Sequence, residues 1–222
     1  MMSRSFVPLV CVTAVMFVVA PWLIMQAPFE STMGLVQKIF YFHVPAALMM
    51  FVSAFVCGVA SIRFLATRRK ASDQTAVAAA ELILVFGIIV LITGPLWARK
   101  AWGIWWDWDA RLTSTVVLWM MFAAYLLLRR FGGPGSERLA AGVAIFGMAN
   151  VPFVYWSVNV WRTLHPKTTV VPSLDPSMRP AFYWCFFAFL LLYLLLLNAR
   201  RRLEAQRDRL TQLYLTYDLE ER

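Results

Sequence analysis

Six stretches of mostly apolar residues, each about as long as a bilayer is thick, restrict this chain more than anything else in it. They run over 6–25, 44–62, 76–97, 112–128, 139–158 and 181–197. About 20 apolar residues in a helix cross the hydrocarbon core. Backbone N–H and C=O groups in lipid must find partners inside their own segment, so such runs become helices. The expected fold class is all-α: a polytopic membrane protein with six transmembrane helices. A composition 61% hydrophobic and 15% charged excludes an ordinary soluble domain. Arg4 followed by the first apolar run imitates a signal peptide, but the run is long and no convincing small-x-small cleavage site follows. It is read as a retained helix, with Pro8 and Pro21 as candidate kinks.

The net charge of +9 does not point to nucleic acid, because the cations cluster at the ends of the apolar runs. Fourteen of the 21 Lys and Arg residues fall at the N-terminus, in 63–75, in 129–138 and in the tail. By the positive-inside rule that side is cytoplasmic, with both termini on it. The loops on the other side, which hold the unusual residues, then face a periplasm-like space. Residues 1–199 form the expected transmembrane domain. Residues 200–222 alternate charge and leucine at roughly helical spacing and are read as a cytoplasmic charged tail extending the last helix. Cys11, Cys57 and Cys185 lie within apolar runs with no Cys-x-x-Cys pair, so they are read as buried thiols. Glu81 is the one acid embedded in an apolar run. Its place near the positive end of a helix dipole favours a structural role. Asn150 and Pro152 are read as packing or a kink.

The chemistry-bearing residues gather between the third and fourth runs. Trp102-Gly103-Ile104-Trp105-Trp106-Asp107-Trp108-Asp109-Ala110-Arg111-Leu112-Thr113-Ser114 places four of the ten tryptophans within seven residues. If the stretch is helical, Trp102, Trp105, Trp106 and Asp109 share a face, Trp108 sits at its edge, and Asp107 and Arg111 point away. Indoles suit either a membrane–water boundary or the face of another aromatic system. Asp109 reads equally as the N-cap of the fourth helix, with Thr113 and Ser114 assisting, or as a residue facing a ligand.

The two histidines, His43 and His165, fall on the same outer side as the tryptophans. His165 lies in a loop stiffened by Pro166, Pro172, Pro176 and Pro180. A heme needs two axial ligands, for which neutral imidazole serves, a flat aromatic or apolar surface, and cations for its propionates. His43 and His165 are therefore the candidate iron ligands, and Trp102, Trp105, Trp106 and Trp108 a candidate shelf for the ring. Arg111, Arg99 and Lys100 are equal candidates for the propionates. A site from which heme must be released is expected to be shallow and partly exposed.

The pattern W-G-x-W-W-x-W-D-x-R-L-T-S at 102–114, together with Tyr41-Phe42-His43-Val44-Pro45-Ala46-Ala47 and Trp161-Arg162-Thr163-Leu164-His165, resembles the CcmC family of WWD-domain heme-handling proteins in cytochrome c maturation. The resemblance covers essentially the whole chain. It implies a WWD loop over 98–115 and a heme-binding set of His43, His165, Trp102, Gly103, Trp105, Trp106, Trp108, Asp109 and Arg111. Asp107 occupies the family's variable position and is read as solvent-facing. The implied cargo is heme b, iron protoporphyrin IX, transiently bound. Implied partners are a periplasmic chaperone of CcmE type, ATP-binding-cassette subunits of CcmA and CcmB type, and a small single-span protein of CcmD type. The implied location is a bacterial inner membrane. No phosphate loop, carboxylate pair or Ser/His/Asp set is present, so neither ATP hydrolysis nor another enzyme activity is expected of this chain. The alternatives are a cytochrome c heme lyase, which in this group carries more spans and a second histidine pair, a b-type electron carrier, and a structural subunit with an aromatic belt.

Overall fold

A computed structural model describes residues 6–30 and 33–220. Six helices account for most of the chain: α1 (Phe6–Gln26), α2 (Phe40–Thr67), α3 (Lys70–Trp102), α4 (Ala110–Phe131), α5 (Ser136–Val160) and α6 (Arg179–Glu220), with a 3-10 segment over Leu35–Ile39 leading into α2. Among the described residues, all six helical segments are long and apolar enough to cross a membrane. The chain is a multi-pass membrane protein.

Each helix extends beyond its apolar run, because polar residues at the ends still satisfy helical hydrogen bonds. The difference matters most at α2. The apolar run begins after His43, but the helix begins at Phe40, fed directly by the 3-10 segment, so His43 lies in its opening turns. The tail is continuous with the sixth span, since α6 runs unbroken to Glu220.

α2 and α3 form the centre of the bundle. They share a core with α4, α5 and α6 that includes Met49, Met50, Ile83, Phe86, Phe122 and Tyr193, all nearly inaccessible. Bulky side chains of one helix seat on glycines of another. A Cβ on Gly87 would lie 2.4 Å from Trp119 Cδ1, and one on Gly147 would lie 2.7 Å from Phe122 Cε2. Side chains also bond across to a neighbouring backbone. Ser53 donates to the carbonyl of Ala79 at 2.8 Å, and Trp119 Nε1 to that of Leu84 at 3.2 Å. Apolar side chains gain little from leaving lipid for one another, so close approach and such polar bonds hold spanning helices together.

α1 packs on α6 beside a smaller cluster that contains Ile24, Phe40, Tyr41, Met178 and Phe182. Lys38, only 8% exposed, ties this corner together. Its ammonium donates to the carbonyls of Ile24 (2.5 Å), Ala27 (2.6 Å) and Met25 (3.3 Å) and lies 4.6 Å from the centroid of the Phe29 ring. The last carbonyls of a helix have no intrahelical partner, and the cation satisfies two of those of α1 and the carbonyl just beyond its end. At the far end of the bundle, Arg200 of α6 grips Glu81 of α3 through two bonds, Arg129 reaches Asp73 at 2.5 Å, and Gln74 bonds Asp208 at 2.7 Å. Glu81 is thus held in an interhelical ion pair.

Candidate heme site

The C-terminal ends of α1, α3 and α5 meet the N-terminal ends of α2, α4 and α6, and the two histidines lie at this end of the bundle. A cavity of about 400 Å³ opens there, within the 300–1,000 Å³ range of small-molecule sites. On α2 its lining recurs at Phe40, Val44, Ala47 and Phe51, and on α3 at Val90, Gly94, Ala98 and Trp102. Both sets follow the three-to-four-residue spacing of a single helix face. α4 adds Arg111, Leu112 and Thr115, α5 adds Tyr155 and Val158, and the loop after α5 closes the space with His165 through Thr168. Along α2 the lining spans Phe40 to Phe51, roughly 16 Å at 1.5 Å per residue. The cavity is therefore deeper than the shallow shelf expected from the sequence. It deepens because Gly94 contributes no side chain opposite His43: a Cβ there would rest 3.5 Å from His43 Cε1.

His43 and His165 both line this cavity, one from a helix and one from a loop. Each imidazole has one nitrogen already committed. His43 Nδ1 lies 2.8 Å from Thr93 Oγ1. The Thr93 hydroxyl gives its only proton to the carbonyl of Ile89 at 2.6 Å, so toward His43 it can only accept. His165 Nδ1 lies 2.9 Å from the carbonyl of Pro166, which also can only accept. In both rings Nδ1 therefore carries the proton, and the lone pair is left on Nε2. The His165 pKa is lowered to about 4, chiefly by burial and then by the neighbouring Arg111 guanidinium. The ring is accordingly neutral at physiological pH. Among the described residues no group of three His, Cys, Asp or Glu side chains could hold a metal ion by itself. Two imidazoles suit an iron whose other four ligands come from a macrocycle.

The tryptophan stretch is not a helix. Gly103 takes a left-handed conformation (φ 78°) that ends α3, and Asp109 is the N-cap of α4. Trp102 thus occupies the last turn of α3, and 103–109 forms a loop, so no single face unites the four indoles. Trp102 and Trp106 line the cavity; Trp105 and Trp108, 56% and 74% exposed, stand outside that lining. Trp102 meets Trp97 edge-on at 5.3 Å, and Trp106 meets Trp108 edge-on at 5.7 Å. Trp106 Nε1 is buried without a partner among the described residues, an uncommon state for an indole N–H. It suits an acceptor brought by a ligand.

Asp109 does more than cap. One carboxylate oxygen accepts from Leu112 N at 2.7 Å; the other accepts from the Thr163 hydroxyl and, at 3.2 Å, from Leu164 N. Thr163 Oγ1 in turn accepts from His165 N at 3.1 Å. The end of the tryptophan loop is thereby linked to the backbone of His165. Ser114 bonds back to Ala110 O and Arg111 O, whereas the Thr113 hydroxyl is buried without a partner and takes no part in the cap.

The three cation candidates are now distinguishable. Arg111 lines the cavity, donates to Val154 O at 2.5 Å and lies over the Phe51 ring. Arg99 instead closes the end of its own helix on the Gly103 carbonyl and covers Trp105. Lys100 is exposed and absent from the cavity lining. Sequence reasoning missed Thr93, Gly94 and Tyr155, and read Pro166 only as a stiffener of the loop and not as the carbonyl that meets His165 Nδ1. Thr93 and Gly94 precede Pro95 inside an apolar run, where only a helical wheel drawn against His43 would have singled them out.

Residues 1–215 match the model of the family described as heme exporter protein C, CcmC. The chain belongs to the CcmC family. Its relatives include the heme exporter protein C of Escherichia coli K12, 34% identical over 206 residues that cover 89% of this chain and 82% of the relative. That of Bradyrhizobium diazoefficiens is 37% identical over 198 residues, 85% and 74% of the two chains. The Paracoccus denitrificans protein is 35% identical over 195 residues, 84% and 80%. Likeness over most of each chain means that this CcmC-family bundle, cavity included, falls within the shared region.

Proposed function

We propose that this protein holds heme b between His43 and His165 on the periplasmic side of a bacterial inner membrane and hands it to a CcmE-type chaperone for c-type cytochrome biogenesis. The observation that carries this reading is the pair of imidazoles lining one apolar cavity, each with Nδ1 tied to an acceptor and its lone pair left on Nε2. A second-sphere bond of this kind sets the tautomer and the ring orientation of a metal ligand.

In this reading Trp102, Trp106 and the aliphatic wall of α2 and α3 take the macrocycle. Burial of its surface contributes about 25 cal/mol per Å². Arg111 and the Trp106 N–H meet the propionates. Gly103 turns the chain so that the loop can fold over the site, and Asp109 fixes its outer edge. Trp105 and Trp108, exposed outside the lining, offer the contact surface for the chaperone. The family description, heme exporter protein C, supports heme as the cargo. CcmA-, CcmB- and CcmD-type subunits would assemble with the chain. Both termini would be cytoplasmic, as the fourteen-to-seven distribution of cations implies. The role is binding and release, not catalysis.

The test is spectroscopic. The protein purified in detergent is titrated with heme, as are the His43→Ala and His165→Ala variants, and each loaded form is mixed with a soluble CcmE-type chaperone. A Soret band that changes its ligation signature in both variants, and heme that moves to the chaperone, is the expected result. An unchanged spectrum in either variant refutes the ligand pair, and heme that never leaves refutes the handover.

A further inference from the structure

We propose that the groove formed by α2, α3 and α6 at the end of the bundle remote from the histidines binds the headgroup of an anionic phospholipid. This concavity has a volume of about 450 Å³. Its polar rim carries Arg63 of α2, Arg69 of the short turn that follows, and Arg201 of α6; Phe55 and Val59, one turn apart on α2, form its apolar wall.

The first argument is charge. Two of the cations at this end are matched, Arg129 to Asp73 and Arg200 to Glu81 and Glu204. Among the described residues Arg63, Arg69 and Arg201 are in no such pair. Arg68 and Lys70 flank Arg69 in sequence, so five cations gather around one turn, and their repulsion is relieved by a bound anion. The second argument is the helix end. α3 starts at Lys70 with Arg69 as its N-cap, and no side chain caps it. The N-terminus of a 33-residue helix presents backbone N–H groups and a partial positive charge that favour phosphate. Ala71, in its first turn, lines the groove.

The third argument separates a lipid from other anions. Phe55 and Val59 are 44% and 50% exposed on a helix apolar enough to span the bilayer. They continue the groove from the arginines toward the membrane interior. A free phosphate would use the rim and leave this wall bare, and an acidic peptide would leave it facing lipid tails. A phospholipid places its phosphate among guanidiniums, where Arg forms paired bonds to phosphate oxygens, and lays an acyl chain along Phe55 and Val59.

The full-length protein is reconstituted in phosphatidylcholine nanodiscs containing a minor fraction of phosphatidylglycerol. Lipid retained after gentle detergent extraction is then quantified by mass spectrometry. Phosphatidylglycerol is expected to be enriched over its share of the bilayer. The Arg63→Gln/Arg69→Gln/Arg201→Gln variant loses that enrichment, whereas Arg130→Gln/Arg138→Gln/Arg209→Gln, with the same charge removed elsewhere, keeps it. Arg201→Gln alone alters one exposed side chain and weakens retention about fivefold, the equivalent of ~1 kcal/mol per basic residue. Equal retention by the two triple variants would mean diffuse surface charge and overturn the site. So would full displacement of the lipid by inorganic phosphate, or a loss of heme binding confined to the groove variant.

Discussion

Substitution of Asp109 separates two jobs that one carboxylate performs. One oxygen caps α4 through Leu112 N, and the other gathers Thr163 and Leu164, two residues and one residue before His165. Asparagine is about as good an N-cap as aspartate, so Asp109→Asn is expected to leave α4 intact. With its amide oxygen on Leu112 N, the NH2 that faces Thr163 and Leu164 can accept from neither the Thr163 hydroxyl nor Leu164 N. Bonds to a charged acceptor are worth ~1.5–3 kcal/mol each. This edge of the site is partly exposed, so the combined loss is taken at the low end, about 1.5–3 kcal/mol. That energy now holds the His165 loop in place. If the loop is released, heme binding must order it, and the apparent Kd rises by the reciprocal of the competent fraction, about 10- to 100-fold. Asp109→Ala loses the cap as well, a further ~1 kcal/mol of helix stability. The assay is heme titration followed at the Soret band, with hydrogen exchange read at Leu112 and Leu164. Asparagine should raise exchange at Leu164 and spare Leu112, and alanine should raise both. Wild-type heme affinity in Asp109→Asn would refute the coupling between cap and loop.

Further substitutions probe the same end of the bundle. Thr93→Val removes the hydroxyl that accepts from His43 Nδ1 and should weaken heme binding about 10- to 100-fold without loss of folded protein, as judged by thermal unfolding in detergent. Gly94→Ala, with its Cβ at ordinary contact distance from His43, should retain heme; Gly94→Leu should fill the cavity and abolish the Soret shift while the protein still elutes as a single folded species. Trp106→Phe deletes the unpartnered buried N–H and should cost roughly 1 kcal/mol of heme affinity, whereas Trp105→Phe, outside the lining, should cost none; equal losses would contradict this placement. Lys38→Met strands the carbonyls of Ile24 and Met25 at the end of α1 and of Ala27 just beyond it. It should destabilise the protein by about 2 kcal/mol, seen as a lower unfolding temperature and earlier proteolysis near Gln26.

The six spans were legible because apolar runs of bilayer length have few physical alternatives. Asp109 as an N-cap was legible because short polar side chains before an apolar run satisfy free helix N–H groups. The rest depended on contacts distant in sequence. The shared face that a helix over 102–109 would give does not form because Gly103 breaks α3, and one left-handed residue changes the direction of all that follow. Lys38 counted as a loop cation by position, but it is buried against α1. Arg99, Lys100 and Arg111 were equivalent as cations in one loop. They ceased to be so when Arg99 folded back on its own helix and Arg111 turned under Val154.

By itself the sequence determined a six-span helical bundle with both histidines at one end, since hydropathy and charge act locally and additively along the chain. Tertiary structure alone decided which ring nitrogen each histidine leaves open. That choice belongs to Thr93, fifty residues from His43, and to the Pro166 carbonyl, whose direction depends on how its loop is folded. A hydrogen bond is set by distance and angle in space, and no spacing in sequence carries that information.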